Sequence, residues 1–254
     1  MTMKKEWPLV TIIIACYQSE KYLEEAILSV LYQTYKKIEL IIIDGGSTDM
    51  SPSIIKKYST NISYTISEKD SGVYDAWNKG LKKTQGEWIV FLGSDDVLLE
   101  DTIQKCVDFI GGYKGTLDFL SSRTILCDAN LNEIEIIGEK WSWKVFSRHM
   151  NTSHIAAFHN KKLFCDVGYF NLDYKIAGDY ELLLRKKSKL KAAFLDACTA
   201  KMRFGGLSNK SMVVLIEAFK AKHRSGGVSV SRCFFDFCVA LTKFYIKKLV
   251  LKYV

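Results

Sequence analysis

The sequence is poor in proline and has no patterned cysteines, and both shortages limit what kind of protein it can be. Only two of the 254 residues are proline, and we find no linker-like stretch or internal repeat. The seven cysteines form no C-x-x-C pair. We therefore expect reduced cysteines in a cytosolic protein, without a disulfide framework or a structural zinc site. Residues 1–8 lack the apolar segment of a signal peptide, so no export signal is expected.

Glycine is missing where a dinucleotide-binding fold requires it. The residues after the first apolar run read "ACYQSEKY", whereas the dinucleotide fingerprint is G-x-G-x-x-G. The sequence also has no Walker A loop. If the chain binds a nucleotide, the phosphates need another partner, and a divalent cation held by carboxylates is a suitable one.

Strands and helices alternate along the first hundred residues. With 48% hydrophobic and 25% charged residues, the composition suits one ordinary globular core. Continuous apolar runs predict buried strands at 9–17, 38–46, 62–68 and 88–92. Helical spacing predicts helices at 19–34, 51–59 and 72–86. Ser19 and Ser51 are the expected N-caps, and Gly86 is the expected end of the third helix. This order predicts an α/β fold with a mostly parallel sheet.

Polar and acidic side chains follow the predicted strands. They are Tyr17, Asp44, Glu68 to Asp70, and Asp95 with Asp96. In a mostly parallel sheet, ligands bind outside the carboxyl ends of the strands. The sequence therefore predicts a ligand site at this edge, built largely from acidic residues.

Asp95 and Asp96 are adjacent carboxylates that follow the apolar run 88–92. Neighbouring like charges repel, and neither can be buried cheaply without a partner. A divalent cation, Mn²⁺ or Mg²⁺, would relieve this repulsion and neutralise a bound diphosphate. The alternative is structural, because aspartate is common at helix starts and the pair precedes a helix-like stretch.

After residue 100 the regular alternation ends. Two strands, expected to be antiparallel, are predicted at 118–128 and 132–140. A short amphipathic helix is predicted at 178–188 and a final helix with a lysine-rich flank at 233–254. The stretch "RFGGLSN", residues 203–209, is either a loop that closes over a ligand or a simple turn.

Three segments together resemble family 2 glycosyltransferases, the inverting enzymes with the GT-A fold that use nucleotide sugars. The segments are "VTIIIACYQSEKYLEEAILSVLYQTYKKIELIIIDGGSTD", "SEKDSGVYDAWNKGLKKTQGEWIVFLGSDD" and "HIAAFHNKKLFCDVGYFNLDYKIAGDYELLLR". The match covers roughly residues 9–208. The sequence is most similar to the bacterial branch that builds O-antigen (lipopolysaccharide) and capsule repeat units. The resemblance implies a GT-A nucleotide-diphospho-sugar transferase fold.

The resemblance also implies a role for each matching residue. The donor-binding residues would be Ala15, Tyr17, Asp44, Asp70, Tyr74, Asn78, Ser94 and Asp95. Among them, Asp44 would accept a hydrogen bond from the uracil imide. Asp96 would bind the Mn²⁺ or Mg²⁺ ion, and Asp179 in "AGDYELLLR" would be the general base. His154 is a weaker candidate for contact with the acceptor.

Each of these residues also has a purely structural interpretation. Asp44 can be a turn residue before two glycines, and Asp179 can be an N-terminal helix charge that favours the helix dipole. A lone histidine such as His154 is as often a structural residue with satisfied hydrogen bonds as it is a residue that contacts the acceptor. The sequence also has Gly45, Gly93 and Gly178 where the family usually has an acid.

The basic charge is concentrated at the C-terminus. The whole chain has a net charge of +8, and residues 211–254 contain eight lysines and arginines but only two acids. We expect a GT-A domain at 1–210 and a basic amphipathic helical tail at 211–254. Interrupting lysines make this tail a poor transmembrane span, since a central lysine costs roughly 2.5–3.5 kcal/mol. Docking on an anionic membrane surface is favoured over packing back on the domain.

Taken together with the resemblance, these features predict an inverting enzyme that moves one sugar from a UDP-linked nucleotide donor to a polyprenyl-diphosphate-linked glycan. It would act in surface polysaccharide biosynthesis, in the cytoplasm and peripherally at the inner face of the cell membrane. The Q-x-x-R-W signature of processive synthases is missing, which favours single transfer. One alternative is a transferase acting on polyprenyl phosphate. Another is a non-catalytic membrane-surface module with a degraded donor site. Nucleic-acid binding is not expected, because the basic tail is not interleaved with aromatic residues on a sheet.

Overall fold

The computed structural model describes residues 7–205 and 212–250, whose strands join in a nine-stranded sheet. The strands are β1 (Val10–Cys16), β2 (Ile38–Asp44), β3 (Tyr64–Ser67), β4 (Trp88–Gly93), β5 (Val97–Leu98), β6 (Phe119–Cys127), β7 (Glu133–Ile137), β8 (Phe158–Asn160) and β9 (Ala192–Arg203). The helices are α1 (Leu23–Leu31), α2 (Ser51–Lys57), α3 (Val73–Leu81), α4 (Thr102–Gly112), α5 (Trp143–Phe146), α6 (Lys161–Val167), α7 (Gly178–Leu184), α8 (Val213–Arg224) and α9 (Val230–Val250). Short 3-10 turns lie at Ser59–Asn61 and Lys187–Lys189.

The first four strands form the parallel part of the sheet that the sequence predicts. Their order is β3-β2-β1-β4, and each neighbouring pair is parallel. β1, β2 and β4 are continuous apolar runs because both faces of this part of the sheet are covered. The predicted α/β fold is therefore confirmed, and the carboxyl ends of the four strands meet at one edge.

Alternate residues of β1 enter two separate cores. Ile12 and Ile14 pack with residues of α1, α2 and α4, whereas Ile13 packs with residues of α3, α6 and α7. Successive side chains of a strand point to opposite faces, so one apolar strand supplies both layers. Each layer stabilises the sheet by roughly 25 cal/mol per Å² of apolar surface buried.

The remaining strands extend the sheet beyond β4. β4 pairs with the antiparallel β8, and the sheet continues through β6, β9 and β5. β6 and β7 form the antiparallel pair that the sequence predicts. β9 pairs with β5, with Lys201 opposite Val97. This pairing brings Arg203, the last residue of β9, next to the turn that joins β4 to β5.

Three helix ends differ from the sequence-based expectation. α1 begins at Leu23 rather than near Ser19, and α2 begins at Ser51 itself. The two serines instead contact each other, because the Ser19 backbone N–H donates a hydrogen bond to Ser51 Oγ at 2.9 Å. α3 ends at Leu81, and Gly86 instead allows a close backbone approach, since a Cβ there would lie 2.5 Å from Thr11 Oγ1. Tertiary contacts thus override local capping signals at these sites.

The C-terminal segment packs on the first domain through α8. Ala221 is fully buried against residues of α7, and a buried ion pair joins Lys222 to Asp236 of α9 at 3.4 Å. The first part of the predicted tail therefore packs back on the domain. Across the described residues, each helix is too short or too polar to span a membrane.

Candidate active site

The register of the parallel strands brings the predicted site residues to one edge. Ala15 pairs with Gly93, and Cys16 pairs with Asp44, which in turn pairs with Ser67. We call this the acidic edge, defined by residues 15–17, 44, 67–70 and 93–96. Its members come from four strand ends that are adjacent in space only because the strands are parallel. The convergence expected from the sequence is confirmed.

Asp95 and Asp96 lie in the turn between β4 and β5 and do not cap a helix. The next helix, α4, begins at Thr102. Asp96 is only 5% exposed, and its Oδ1 accepts a hydrogen bond from the Arg203 backbone N–H at 3.3 Å. Burial, together with the neighbouring Asp95 carboxylate, raises the pKa of Asp96 to about 8. The pair therefore lacks full charge compensation, while Asp95 is the more accessible of the two.

Arg203 is a site residue that the sequence analysis missed. Its guanidinium donates to the Asp95 backbone carbonyl at 2.6 Å and to Glu25 Oε2 at 2.5 Å. It also lies over the Tyr22 ring, 4.2 Å from the centroid. Arg203 thus fixes the backbone that presents Asp95. The only sequence signal was its place in "RFGGLSN", of which residues 206–209 lie outside the described residues.

Asp44 is fully buried, and its carboxylate is occupied by neighbouring donors. Ser47 donates through its backbone N–H and its hydroxyl, and the Ser67 hydroxyl donates to Oδ2. The Cys16 thiol lies 3.6 Å from Oδ1. This geometry favours the structural interpretation, in which Asp44 organises the turn before Gly45. The expected contact with a uracil imide stays a prediction. In this structure both carboxylate oxygens already accept hydrogen bonds from Ser47 and Ser67.

Asp70 occupies the space in front of Gly45. A Cβ at residue 45 would lie 2.6 Å from Asp70 Oδ2. The carboxylate is partly exposed, and Oδ1 accepts a hydrogen bond from the Gly72 backbone N–H at 2.9 Å. An acidic side chain is therefore present beside residue 45 even though that residue is glycine.

The other residues expected along the acidic edge are accessible to different degrees. Tyr17 is 63% exposed just beyond the end of β1, and Ala15 is partly buried within the strand. Ser94 bonds through its hydroxyl to the Ser19 hydroxyl at 2.7 Å. These three residues leave a polar, open surface beside Asp95, as a bound ligand requires.

Tyr74 and Asn78 lie on α3 but face away from the acidic edge. Both amide atoms of Asn78 bond to the Phe170 backbone, at 2.9 and 3.0 Å. Tyr74 is buried, and its hydroxyl lies 2.6 Å from the Ile176 carbonyl oxygen and 3.2 Å from Asp179 Oδ1. Their expected role in lining the nucleotide stays a prediction, while their polar atoms contact Phe170, Ile176 and Asp179.

Asp179 is the second residue of α7, and its two carboxylate oxygens have different surroundings. Oδ1 accepts from the Tyr180 backbone N–H at 2.8 Å and from Tyr74 at 3.2 Å. Oδ2 lies 3.9 Å from His154 Nδ1. The side chain is 18% exposed. Burial raises the pKa of Asp179 to about 6, and these hydrogen bonds oppose the rise only in part. Such a carboxylate is ionised at neutral pH yet more basic than an ordinary aspartate.

His154 is buried beside Asp179 within an aromatic cluster. Its ring stacks on Phe91 with centroids 5.7 Å apart, and it lies 5.1 Å from the centroid of Trp77. Burial lowers the pKa of His154 to about 3, so the imidazole is neutral. Among the described residues, neither ring nitrogen has a hydrogen-bond partner. His154 therefore faces the candidate base as a neutral, unsatisfied polar group.

Comparison with known proteins identifies the family. The model of "Glycosyl transferase family 2" matches residues 11–164, a range that includes the whole acidic edge. The chain belongs to glycosyl transferase family 2. A "PGL/p-HBAD biosynthesis glycosyltransferase" of Mycobacterium bovis is 31% identical over 215 residues, which cover 80% of each protein.

Solved structures show that this glycosyltransferase chain has the GT-A fold. S. aureus TarS 1–349, in complex with UDP-GlcNAc, superposes with a TM-score of 0.68 at 19% identity over 90% of this chain and 70% of that one. The Pyrobaculum calidifontis mannosyltransferase PcManGT, in complex with GDP-Man and Mn²⁺, gives a TM-score of 0.63 at 15% identity over 98% and 82%. This chain spans 41% of a longer TarS chain. At these identities the likeness shows the fold.

Beside each glycine that departs from the usual family 2 pattern, a polar side chain occupies the space where a Cβ would lie. A Cβ at Gly93 would lie 2.5 Å from Asp96 Oδ2, and one at Gly178 would lie 2.7 Å from the Tyr74 ring. Gly45 is related to Asp70 in the same way, at 2.6 Å. The side chains of Asp70, Asp96 and Tyr74 occupy the space that a larger residue at the glycine position would need. This packing is that of a rearranged site rather than a collapsed one.

The residues of this glycosyltransferase fit a divalent cation that is shared with a diphosphate. Mg²⁺ is commonly held by one or two carboxylates together with substrate phosphates. Asp95 and Asp96 are two adjacent carboxylates, and burial, followed by the Asp95 charge, raises the pKa of Asp96, an effect that a bound cation would oppose. Within residues 7–205 and 212–250, no three His, Cys, Asp or Glu side chains converge on one point. If a cation binds here, Asp96, the predicted metal ligand, and its neighbour Asp95 are the carboxylates that would hold it.

Proposed function

We propose that this family 2 enzyme is a metal-dependent, inverting glycosyltransferase that moves one hexose from a nucleotide sugar, UDP-linked, to a lipid-linked glycan. The observation that carries the proposal is the connection between two kinds of acid. The acidic edge supplies the partly exposed carboxylates of Asp70 and Asp95, beside the buried Asp96, for a cation and a diphosphate. Tyr74 links the same α3 helix to Asp179, a partly buried carboxylate whose pKa of about 6 suits a general base.

The chemistry assigned to Asp179 is proton removal during a single displacement. The acceptor hydroxyl oxygen forms a bond to the anomeric carbon, and the bond from that carbon to the diphosphate oxygen breaks. The nucleoside diphosphate leaves with the bonding electron pair, and the hydroxyl proton passes to Asp179 Oδ2. Oδ1 is held by Tyr180 and Tyr74, so Oδ2 is the oxygen left to accept the proton. A positioned base contributes roughly 10²- to 10⁴-fold to the rate.

The donor would bind at the acidic edge. Asp95 and Asp96 would hold Mn²⁺ or Mg²⁺, which supplies Lewis-acid stabilisation of the diphosphate charge when bound. Tyr17, 63% exposed, offers an open aromatic face for a base, and Asp70 offers a free carboxylate oxygen beside Gly45. TarS in complex with UDP-GlcNAc and PcManGT in complex with GDP-Man both have this fold, which supports a nucleotide-sugar donor, and the binding test below decides the nucleotide.

Nucleotide binding provides the direct test. Thermal unfolding is measured with UDP, GDP, CDP and dTDP, with and without Mn²⁺, for the wild type and for Asp96→Asn. A ligand at 100 times its Kd adds about 2.7 kcal/mol to the free energy of unfolding, which raises Tm by several degrees for a chain of this size. We expect UDP to raise Tm only with Mn²⁺, and Asp96→Asn to lose that rise.

The control for this test is Asp166→Asn, because Asp166 is an exposed carboxylate paired with Lys186 on the surface of the molecule. It makes the same aspartate-to-asparagine change in another place and should keep the full nucleotide response. If no nucleotide changes Tm in the folded wild-type protein, the donor-binding proposal is wrong. If one nucleotide binds but no sugar is transferred to any acceptor, the protein is a binding module.

The C-terminal segment suits a lipid-linked acceptor presented at an anionic membrane surface. Large apolar side chains are exposed along α8 and α9, namely Val213, Ile216, Val230, Phe234, Phe235, Val239, Tyr245 and Ile246. Basic residues accompany them, with a net charge of +6 over 211–254. Each basic residue near an anionic leaflet contributes about 1 kcal/mol to the free energy of membrane binding, and the exposed apolar side chains can insert into the interface. We assign this face to the inner leaflet of the cell membrane, where O-antigen or capsule intermediates are extended.

Vesicle binding tests the membrane assignment. The wild type should sediment with phosphatidylcholine vesicles that contain phosphatidylglycerol and remain in solution with phosphatidylcholine alone. The double variant Phe234→Ser, Phe235→Ser should lose most of the binding. Tyr113→Ser, which alters an exposed aromatic residue elsewhere, should bind as the wild type does. Equal sedimentation of all three proteins would contradict this assignment.

A further inference from the structure

Glu217 is a buried acid on α8, within the segment that the sequence analysis assigns to the tail. It is only 5% exposed. Its Oε1 accepts a hydrogen bond from the Lys175 backbone N–H at 2.8 Å. Its Oε2 accepts from the backbone N–H groups of Ile176 and Ala177, at 2.8 and 2.9 Å. One carboxylate thus holds three consecutive backbone donors, about 40 residues away in sequence.

Those three donors lie at the start of α7, the helix that carries Asp179. The first N–H groups of a helix have no partner within the helix, and a negative charge there is favoured by the helix dipole. Ala177 precedes the helix, and its methyl side chain cannot accept a hydrogen bond. Of the three donors, only the Ala177 N–H belongs to the helix end, so Glu217 mainly holds the segment that leads into α7. Hydrogen bonds to a charged acceptor are about twice as strong as neutral ones.

The segment 175–177 is held from both sides. Glu217 binds its backbone N–H groups, while the Tyr74 hydroxyl lies 2.6 Å from the Ile176 carbonyl oxygen. Asp179 follows only two residues after Ala177, within the same turn. A shift of this segment moves the Asp179 carboxylate, because only Gly178 lies between them, and it is part of α7 and packed against the Tyr74 ring. Misplacement of a reacting group by about 1 Å can cost on the order of 100-fold in rate.

We infer that Glu217 is a positioning residue for the general base: from α8 it fixes the start of α7 and so the position of Asp179. This inference rests on the proposed role of Asp179. It gives a positioning role to a residue of α8, which the sequence analysis treats as part of a separate tail. Glu217 itself does not reach the reacting atoms and acts only through α7.

The charge of Glu217 also acts on Asp179 through space. Glu217 raises the pKa of Asp179, adding to the larger effect of burial. The other groups facing Asp179 are the Tyr74 hydroxyl and the Tyr180 N–H, which lower its pKa, and the neutral His154. Replacing Glu217 by an uncharged residue of the same shape should therefore lower the pKa of the base as well as loosen its position.

The experiment compares Glu217→Gln with Glu217→Asp and Ser225→Ala, using steady-state transfer across pH and thermal unfolding. Glutamine keeps the shape of Glu217 but has one acceptor oxygen, so at least one of the three N–H groups loses its partner. Ser225 is a matched control, because its hydroxyl donates to Glu181 Oε1 at 2.5 Å and also ties the C-terminal segment to α7. That contact is with the Glu181 side chain and does not involve the backbone N–H groups of residues 175–177.

We expect Glu217→Gln to lower kcat by on the order of 10- to 100-fold, with KM for the donor within about twofold of the wild type. The acidic limb of its kcat profile should move to lower pH. Glu217→Asp, which keeps the charge, should recover part of kcat and the wild-type limb. Ser225→Ala should change Tm but should leave kcat and the donor KM at their wild-type values.

The outcomes separate this inference from the proposed function. If Asp179→Asn keeps wild-type kcat, the base assignment is wrong and Glu217 has no base to position. If Asp179→Asn is inactive while Glu217→Gln has wild-type kcat and an unmoved acidic limb, the inference alone is wrong. The same holds if Glu217→Gln and Ser225→Ala lose kcat equally, because a general loss of α7 packing would then suffice. Should Glu217→Gln fail to fold, Glu217→Asp decides, with a reduced kcat at unchanged donor KM expected and a wild-type kcat contradicting the inference.

Discussion

The acidic edge and the helix α7 are built in different ways. The acidic edge collects residues from the ends of four neighbouring strands, and the pairing of those strands brings them together, with Arg203 of β9 holding the turn at Asp95. The helix α7 has seven residues, and its position depends on Tyr74 and Glu217, which come from distant parts of the chain. A site built on strand register is robust to single changes outside it. A site built on remote contacts is sensitive to them, and substitutions on the two sides should differ accordingly.

The largest expected effect comes from removing the base itself. Asp179→Asn should lower kcat by roughly 10²- to 10⁴-fold, because the amide cannot take the acceptor's proton. Nucleotide binding at the acidic edge should be unchanged, since the edge does not depend on α7. Transfer rates and nucleotide-dependent Tm shifts measured on the same preparation check both parts. Loss of nucleotide binding together with kcat would show that the two regions are not independent.

A smaller effect is expected from adding a methyl group to the acidic edge. In Gly45→Ala the new Cβ would lie 2.6 Å from Asp70 Oδ2, so the Asp70 side chain must move. We expect the donor Kd to rise by about tenfold, the cost of roughly 1.4 kcal/mol, with little change in Tm because the side chain is flexible. Gly112→Ala is the matched control, since the space beside Gly112 is open. A donor Kd that is equal in the two variants would remove Asp70 from the donor site.

The smallest effect is expected at Tyr74. In the wild type, Asp179 must be ionised to act, so kcat should be full above pH of about 6 and fall as pH drops through that value. The Tyr74 hydrogen bond lowers the pKa of Asp179, so Tyr74→Phe should move the acidic limb to higher pH. We expect only a several-fold loss of kcat at pH 8. A pH profile identical to that of the wild type would place the tyrosine outside the working site.

The contrast between the two regions also explains what the sequence could predict. Continuous apolar runs such as those of β1 and β4 are unambiguous, because both faces of these strands are covered. The acidic residues that follow them then fall on one edge by the geometry of parallel strands. The antiparallel pair of β6 and β7 was predictable for a similar reason, since each strand is a separate β-branched run beside a turn.

Contacts between distant segments were not predictable. Nothing local distinguishes Arg203 or Glu217 from an ordinary surface charge, and each acquires its role from a backbone group of another element. The same reason accounts for Asn78 and Asp44, whose polar atoms are taken up by Phe170 and by Ser47. A polar residue near a site can face the ligand or hold the scaffold, and only its neighbours in space decide.

The C-terminal segment shows both outcomes within one stretch of chain. The boundary expected at residue 210 separates a domain from a tail, yet α8 buries Glu217, Ala221 and Lys222 against the preceding domain. The exposed apolar face continues along α9 in agreement with an amphipathic helix. The amphipathic pattern was visible in the sequence because it is periodic. The burial of Glu217 was not visible in the sequence, because a single charged residue produces no periodic pattern.

The contact between Gly45 and Asp70 has a consequence for how related chains can vary. The two positions share one volume, so a side chain at residue 45 and a carboxylate in this position at residue 70 exclude each other. Gly178 and Tyr74 share space in the same way. Substitutions at these positions should therefore appear in pairs across relatives, and a chain with a larger residue at one member should have a smaller or displaced residue at the other.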